Sequence, residues 1–221
     1  MKLIFSRKGF DSQYGGVPSP ILADGTLLPL PIPSRYGRSL RNIQSSTGPL
    51  HTLVSDLTSG KIGPDTLIHL DPDLQSHSVP RLAGWQPSLG QVGAAQGHLA
   101  KQGVGPGDVF LFFGWFRQAE VINGRWRYVP GTPDIHSIFG WLQIGVVVDP
   151  CAPDCGERNP WLGDHPHVAL TDTIGKSNTI YIGAKSLFDE AFPGGGVFTH
   201  WTERLQLTAP GHSRSVWRVP D

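Results

Sequence analysis

Apolar residues in this chain form short runs separated by glycine, proline and aspartate, and the longest run predicts the centre of a sheet. Residues 109–116 are nearly continuously apolar and aromatic, which is typical of a strand buried on both faces. Segments 126–129, 135–148, 168–171 and 178–183 predict further strands between loops rich in Pro, Asp and Gly. The pattern therefore favours a sheet built from strands along much of the chain.

The remaining segments predict few helices. Residues 2–5 form a short apolar stretch that predicts a first strand. Apolar residues at helical spacing predict a helix within 90–104, with Gly103 as its terminator. Residues 39–66 are polar with weak periodicity, and we interpret them as a loop that has room for one short helix.

Composition supports the same picture. The 28 Gly and 20 Pro in 221 residues break regular elements and argue against a helix bundle. A hydrophobic content of 38%, with ten Phe and seven Trp, is enough for a core. We find no repeat or linker, so we predict one α+β domain over residues 1–221. It would have a central mixed, twisted β-sheet, many short strands, few helices and long ordered loops.

The charge distribution is uneven along a chain that is neutral overall. The formal net charge of zero argues against a protein held on nucleic acid by bulk electrostatics. Residues 1–41 nevertheless contain six basic and two acidic side chains, a local excess of four positive charges. No apolar run resembles a signal peptide or a membrane span, and the two cysteines fit a reducing compartment. We predict a cytoplasmic protein without cofactor, membrane contact or obligate protein partner.

The N-terminal loop SRKGFDSQYGG is the first candidate site. Arg7 and Lys8 can hold phosphates, and Asp11 could activate water or stabilise a cationic sugar transition state. The alternative is a solvated turn in which Arg7 or Lys8 pairs with Asp11. The predicted nucleic-acid contacts are Ser6, Arg7, Lys8, Arg35, Tyr36 and Arg38.

HLDPD at 69–73 is the second candidate, because His69 and Asp71 alternate on a strand predicted for 68–74 and so point to one face. They could form an acid/base pair, with Asp71 as the reserve catalytic carboxylate after Asp11, or a metal site that lacks a third ligand. The alternative is a turn cap that uses Asp71 or Asp73.

Aromatic and polar residues elsewhere could form a base pocket. Phe113 and Trp115 in FFGWF could sandwich a base that has left a duplex, although such a run is most often core. Gln96 and His98 on the predicted helix lie two residues apart and so do not share a helix face.

CAPDC and DHPH supply two cysteines and two histidines, Cys151, Cys155, His165 and His167. Their spacing is not that of a standard zinc finger. Two free thiols in a loop with capping histidines are the alternative to a structural zinc site, and we predict no metal.

Several motifs together resemble the nucleotide modification associated domain 3 family of bacteria and phages. They are SRKGFDSQYGGVPSPI, LPLPIP, GQVGAAQGHL, GDVFLFFGWFR, DHPHV and a closing W-x-V-P. The resemblance covers nearly the whole chain, and the cysteine pair is no part of it. Members are linked to systems that make or attack hypermodified DNA bases.

The resemblance implies an enzyme directed at a DNA base, and the leading hypothesis is a DNA glycosylase that excises a bulky modified base, such as glucosylated hydroxymethylcytosine, from phage DNA. The motif positions carried over are Arg7, Lys8, Asp11, Gln96, His98, His165 and His167, and the last four would belong to the base pocket with Phe113 and Trp115. Cleavage of an N-glycosidic bond needs a flipped nucleotide, a carboxylate near the anomeric carbon and cations on the flanking phosphates. A transferase that builds such a base and a non-catalytic reader of it are the rival hypotheses.

Overall fold

The computed structural model describes residues 1–169 and 177–218. The strands are β1 (Leu3–Arg7), β2 (Ser19–Ile21), β3 (Ile32–Ser39), β4 (Gln44–Ser45), β5 (Gly48–Pro49), β6 (Leu67–His69), β7 (Ser88–Val92), β8 (Val109–Ile122), β9 (Arg125–Tyr128), β10 (Ile135–Val148), β11 (Asn178–Gly183) and β12 (Gly195–Val197). The α-helices are α1 (Leu50–Leu57), α2 (Gly93–Lys101), α3 (Cys155–Arg158) and α4 (Pro166–Ala169), and 3-10 helices span Leu40–Asn42, Pro160–Asp164 and Glu203–Leu205. Within the described residues, no helix combines the length and apolar character that a bilayer crossing requires.

The main sheet has the strand order β1-β8-β10-β11-β7, with β2 and β9 also paired to β8 and β12 paired to β10. Strand β2 runs parallel to β8, whereas β9 is antiparallel to β8 and β11 is antiparallel to both β10 and β7. The pairs β3–β6 and β4–β5 form separate two-stranded sheets. The predicted α+β class with a mixed central sheet is confirmed.

Most predicted elements are present, and one is wrong. The predicted strands 135–148 and 178–183 match β10 and β11, and the predicted helix within 90–104 is α2. The strand predicted for 168–171 is wrong, because residues 168 and 169 belong to α4, where both their amides donate to the carbonyl of His165. Residues 170 and 171 lie outside the described residues.

The chain divides into two compact units, each assembled from three segments. Unit 1 comprises Met1–Ile4, Asp71–Leu111 and Trp141–Val197, and unit 2 comprises Phe5–Leu70, Phe112–Gly140 and Phe198–Asp221. A single domain over residues 1–221 stays a prediction.

Unit 1 has a core on β11 and the segment before it. Cys155, Trp161 and Leu162 pack with Ile180 and Ile182 of β11 in one buried cluster. Alternate residues of β11 thus face this cluster, as the two-residue period of a strand requires. The same strand pairs with β7 in a continuous antiparallel register, which fixes β7 relative to this core.

A buried ion pair closes the 73–88 segment of unit 1. Asp73 exchanges backbone hydrogen bonds with Ser88 at the start of β7. Arg81 donates to both carboxylate oxygens of Asp73, at 2.6 and 2.5 Å, and lies 4.4 Å from the ring centroid of Trp85. Burial raises the pKa of the Asp73 carboxyl, although Arg81 opposes this effect. The network holds residues 71–73 beside β7.

Unit 2 is built around α1 and an aromatic core. The buried residues of α1 are Leu50, Leu53, Val54 and Leu57, at the i, i+3, i+4, i+7 spacing of an amphipathic helix. The rings of Phe112 and Phe116 both lie near that of Phe139, with centroids 6.3 and 6.1 Å away. The polar stretch 39–66 therefore contains a helix that contributes to the core.

Candidate functional site

A buried carboxylate and a buried histidine meet in unit 1. The side chain of Asp71 is 8% exposed and that of His167 is 4% exposed. Asp71 Oδ1 accepts a hydrogen bond of 2.6 Å from the amide of Gly90 on β7. Asp71 Oδ2 lies 3.9 Å from His167 Nε2. We call Asp71 and His167 the dyad.

Asn178, the first residue of β11, orients the imidazole of the dyad. Its side-chain amide donates to the carbonyl of His167 at 2.8 Å. Its Oδ1 therefore faces His167 Nδ1, at 2.7 Å, and acts as an acceptor. This network assigns a proton to Nδ1 and turns Nε2 toward Asp71. Asn178 thus holds the His167 imidazole in one orientation.

Gly90 makes room for that imidazole. A Cβ at this position would overlap the His167 ring. The ring of His165 lies beside it, with centroids 5.5 Å apart, and the Nδ1 of His165 accepts the backbone amide of His167. The ring of His167 is therefore fixed on several sides within unit 1.

The dyad is suited to proton transfer. Because Nδ1 holds its own proton, Nε2 of a neutral His167 presents a lone pair on the side of the carboxylate, 3.9 Å away. A carboxylate removed from water beside a histidine can take a proton from water and pass it on. No standard sequence spacing links residues 71, 167 and 178, so the sequence alone did not reveal Asn178 or Gly90.

The N-terminal loop in unit 2 is an ordered turn organised by Asp11. Oδ1 of Asp11 accepts the amides of Gln13 and Tyr14 at 2.8 and 2.7 Å, and Oδ2 accepts from Arg7 Nη2 at 2.9 Å. Gly15 lies against the Phe10 ring with φ +90°, where only glycine fits. These contacts match the turn interpretation, and the catalytic role of Asp11 stays a prediction.

The same loop forms one wall of a cleft of about 470 Å³ in unit 2. Residues 13–17 line one side and residues 57–59, 61 and 62 line the other, with Pro33 between them. Tyr14 is an exposed aromatic residue and Lys61 supplies a positive charge. A cleft of this size can hold a small organic group, since ligand sites usually begin near 300 Å³.

The other predicted nucleic-acid contacts lie on β1, directly after it at Lys8, and on β3. Ser6 is half-buried on β1, and the backbone amide of Lys8 donates to the Phe113 carbonyl at 2.9 Å. Arg35 and Tyr36 are exposed, and Arg38 is half-buried, in β3. The register of β3 against β6 shifts between Pro33 and Arg38.

The predicted base-pocket residues of unit 2 are covered by the C-terminal segment. Phe113 is buried, and Trp217 packs edge-on against it with ring centroids 4.8 Å apart. The guanidinium of Arg214 lies 4.0 Å from the ring centroid of Trp115. Phe113 and Trp115 therefore pack against the protein's own side chains.

The remaining predicted site residues lie in different surroundings. In unit 1, Gln96 is buried and accepts from Tyr181 Oη at 3.0 Å, whereas His98 on the same helix is exposed. These two residues occupy different faces of α2, as expected. In unit 2, His69 is the last residue of β6 and is half-buried opposite Ile32. Strand β6 ends at His69, so Asp71 lies beyond it, and a shared acid/base or metal-binding role of the two residues stays a prediction.

The cysteines and the histidines of unit 1 do not share one set of ligands among the residues that the structure describes. Cys151 is exposed, whereas Cys155 lies in the apolar core cluster and is a free thiol. Burial raises the pKa of the Cys155 thiol, and the charges of Asp149 and Asp154 add to that effect. These surroundings favour two free thiols over a zinc site.

Comparison with known proteins gives one match. A family described as nucleotide modification associated domain 3 matches residues 2–221, which is essentially the whole chain. No curated protein and no solved structure matches the chain. The match agrees with the resemblance in the N-terminal, central and closing motifs, and it implies a role connected with nucleotide modification.

Proposed function

Because this chain belongs to the nucleotide modification associated domain 3 family, we propose that it is a DNA glycosylase. Its substrate would be a bulky modified base in phage DNA, such as glucosylated hydroxymethylcytosine. Excision would leave an abasic site and so damage the incoming phage genome. The observation that carries this proposal is the dyad, a buried carboxylate beside an oriented histidine.

The dyad can supply both proton transfers of the hydrolysis. Asp71 accepts a proton from the attacking water, whose oxygen forms a bond to the anomeric carbon as the C1′–N bond breaks. The protonated Nε2 of His167 returns a proton to the leaving base. Asp71 then passes its proton to Nε2, so one water is consumed and the dyad is regenerated.

Asp71 is a better carboxylate for this step than Asp11. Both oxygens of Asp11 already accept hydrogen bonds, from two backbone amides and a guanidinium, and these contacts hold the carboxylate within the turn. Asp71 has its own partners, among them one backbone amide and the histidine that could exchange a proton with it. We assign Arg7 and Lys8 to phosphates of the bound DNA, where a charge-assisted hydrogen bond is strong.

The test is to incubate the protein with phage DNA that carries glucosylated hydroxymethylcytosine, hydroxymethylcytosine or unmodified cytosine. We expect alkali-labile strand breaks and a released free base with the bulky modification, and none with unmodified DNA. Mass spectrometry of the free base and of the remaining nucleosides identifies the reaction. Heavier nucleosides would show a transferase, and tight binding without chemical change would show a reader; either result would overturn the proposal.

Variants assign the carboxylate. Asp71→Asn should lower the excision rate by at least about 100-fold, as loss of a general base does. Asp65→Asn is the matched control, because Asp65 is exposed and pairs only at the surface with Arg41. Asp11→Asn should weaken binding through the loop more than it slows excision under saturating DNA. If Asp71→Asn were fully active, Asp71 would not be the catalytic carboxylate.

A further inference from the structure

A strip of aromatic and cationic side chains lies at the surface of unit 2. It consists of the exposed Phe5 and Arg7 on β1 and of the half-buried Arg214 and the exposed Trp217 in the C-terminal segment, and we call it the stacking strip. We propose that it binds an unpaired stretch of DNA, with bases on the two rings and phosphates on the two guanidinium groups. The proposal rests on the proposed function only in taking DNA as the partner.

A C-terminal hairpin, residues 207–218, holds Trp217 in place. The amide of Arg218 donates to the Leu207 carbonyl at 2.8 Å, and Thr208 forms a bridge with Trp217. Thr208 Oγ1 accepts the amide of His136 at 2.8 Å and donates to the Arg214 carbonyl at 3.0 Å. The hydrogen bond between His136 and Thr208 therefore holds the hairpin against the start of β10.

The Trp217 ring is anchored by its inner edge. Its Nε1 donates to His136 Nδ1 at 3.0 Å, and its ring packs edge-on against Phe113 and His136. Trp217 nevertheless stays 37% exposed, and the neighbouring Phe5 is 40% exposed. The centroids of Trp217 and Phe5 are 6.1 Å apart, with an angle of 51° between the rings. Two fixed aromatic surfaces thus face solvent side by side.

The cations of the strip are also held in place. Arg214 stacks on Trp115 at 4.0 Å, and no carboxylate of the described residues forms an ion pair with it. Arg7 lies on the same face of β1 as Phe5 and pairs with Asp11 through one of its amino groups. A guanidinium stacked on a ring loses less freedom when it binds a phosphate.

The local field is positive although the chain is neutral. Burial, Arg214 and Arg7, in that order, lower the pKa of His136 to about 4, so His136 is neutral near pH 7. Both arginine charges therefore act on His136, whose ring packs edge-on against that of Trp217. Aromatic rings beside fixed cations are the features by which proteins bind unpaired nucleic acid, because every base offers a π-face and every nucleotide offers a phosphate. The faces of the bases are hidden in a duplex, so the strip should prefer a single strand.

Fluorescence anisotropy of a labelled oligothymidylate of about 12 nucleotides, against a duplex of equal length, tests the strip. We expect the single strand to bind more tightly than the duplex. Phe5→Ala and Trp217→Leu should each lower the affinity about tenfold, since one base loses its stacking partner. Arg214→Gln should reduce the salt slope of binding by about 0.7, as loss of one phosphate contact to a single strand does.

Two variants in unit 1 are matched controls. Phe192→Ala removes a phenylalanine that is 66% exposed, more than the 40% of Phe5, and Arg158→Gln removes an exposed arginine. Neither substitution should change the affinity. If Trp217→Leu unfolds the hairpin, Phe5→Ala and Arg214→Gln still decide the question. The proposal would be overturned if folded Phe5→Ala and Arg214→Gln proteins bound the single strand with wild-type affinity. It would also be overturned if the wild-type protein bound the duplex as tightly as the single strand.

The two proposals fail separately. Unmodified oligothymidylate measures the strip without any excision. If the strip variants bind like the wild type while modified DNA still gains abasic sites, the strip is wrong and the glycosylase stands. If the variants lose affinity while no abasic sites form, the strip stands and the glycosylase is wrong.

Discussion

Gly90 has no side chain, and the imidazole of His167 occupies the space that its Cβ would need. The amide of the same residue donates to Asp71. One glycine thus serves both members of the dyad, by a hydrogen bond to the carboxylate and by space for the ring. The space for the ring exists because Gly90 has no Cβ. Neither the charge pattern nor the residue types of the sequence therefore indicate this contribution.

Gly90→Ala should displace the His167 ring and separate the dyad. We expect excision to fall by about 100-fold and the free energy of unfolding to fall by about 1–3 kcal/mol, the usual cost of overpacking. Gly97→Ala is the control, because Gly97 lies in α2 with no atom within 4 Å of an added Cβ. That substitution should be neutral or stabilise the protein by up to about 1 kcal/mol. A fully active Gly90→Ala protein would contradict the packing argument.

At the scale of elements, the sequence predicted best where its pattern was long or strictly alternating. Strands β8 and β10 were found because long apolar runs have few alternative structures, and β11 was found from the β-branched and aromatic residues of its six positions. Helix α1 was obscured by the polar residues around it, although its four apolar residues have helical spacing. Helix α4 was mistaken for a strand because four residues contain too little of either period. Local turns such as this one are decided by tertiary contacts.

The candidate site was predictable only in part for a related reason. The sequence named Asp71, His165 and His167 through motifs, but it could not join Asp71 to His167, which is 96 positions away. Sheet pairing between β7 and β11 brings Gly90 and Asn178 to that place. Such pairing has no signature in either segment alone, because register depends on both strands.

The 73–88 segment is the element that sets Asp71 beside β7, and its buried ion pair can be tested. Asp73→Asn leaves Arg81, which is 15% exposed, without its carboxylate. We expect the free energy of unfolding to fall by about 3 kcal/mol, because an uncompensated buried charge is costly. Urea denaturation measures this. The exposed pair of Asp65 with Arg41 gives the contrast, and Asp65→Asn should change stability by less than about 1 kcal/mol. Equal effects of both substitutions would contradict the buried-pair account.

At the scale of the whole molecule, protonation of His136 makes the free energy of unfolding depend on pH. Its pKa is about 4 in the folded protein and 6.5 ordinarily, so the unfolded chain takes up the proton first as pH falls. Stability should therefore be complete above about pH 6.5 and decline toward pH 4. We expect a loss on the order of 1 kcal/mol by pH 5, or about 3 °C in Tm.

Thermal unfolding at pH 7 and pH 5 measures this effect. His136→Gln should be less stable than the wild type at pH 7, because Trp217 loses its acceptor, yet its Tm should change less between the two pH values. His200→Gln, which removes an exposed histidine, should keep the wild-type dependence. An unchanged pH dependence in His136→Gln would show that another group is responsible.

Because one cysteine is exposed and the other is buried, their rates of alkylation can report on local opening of unit 1. A maleimide dye should label the exposed Cys151 within minutes under conditions that leave the buried, poorly ionised Cys155 intact. Cys155 would react only when the core cluster around Trp161 opens. The rate of Cys155 alkylation would then measure how often the core of unit 1 opens, with and without DNA. The dye on Cys151 would report from the surface of the same molecule.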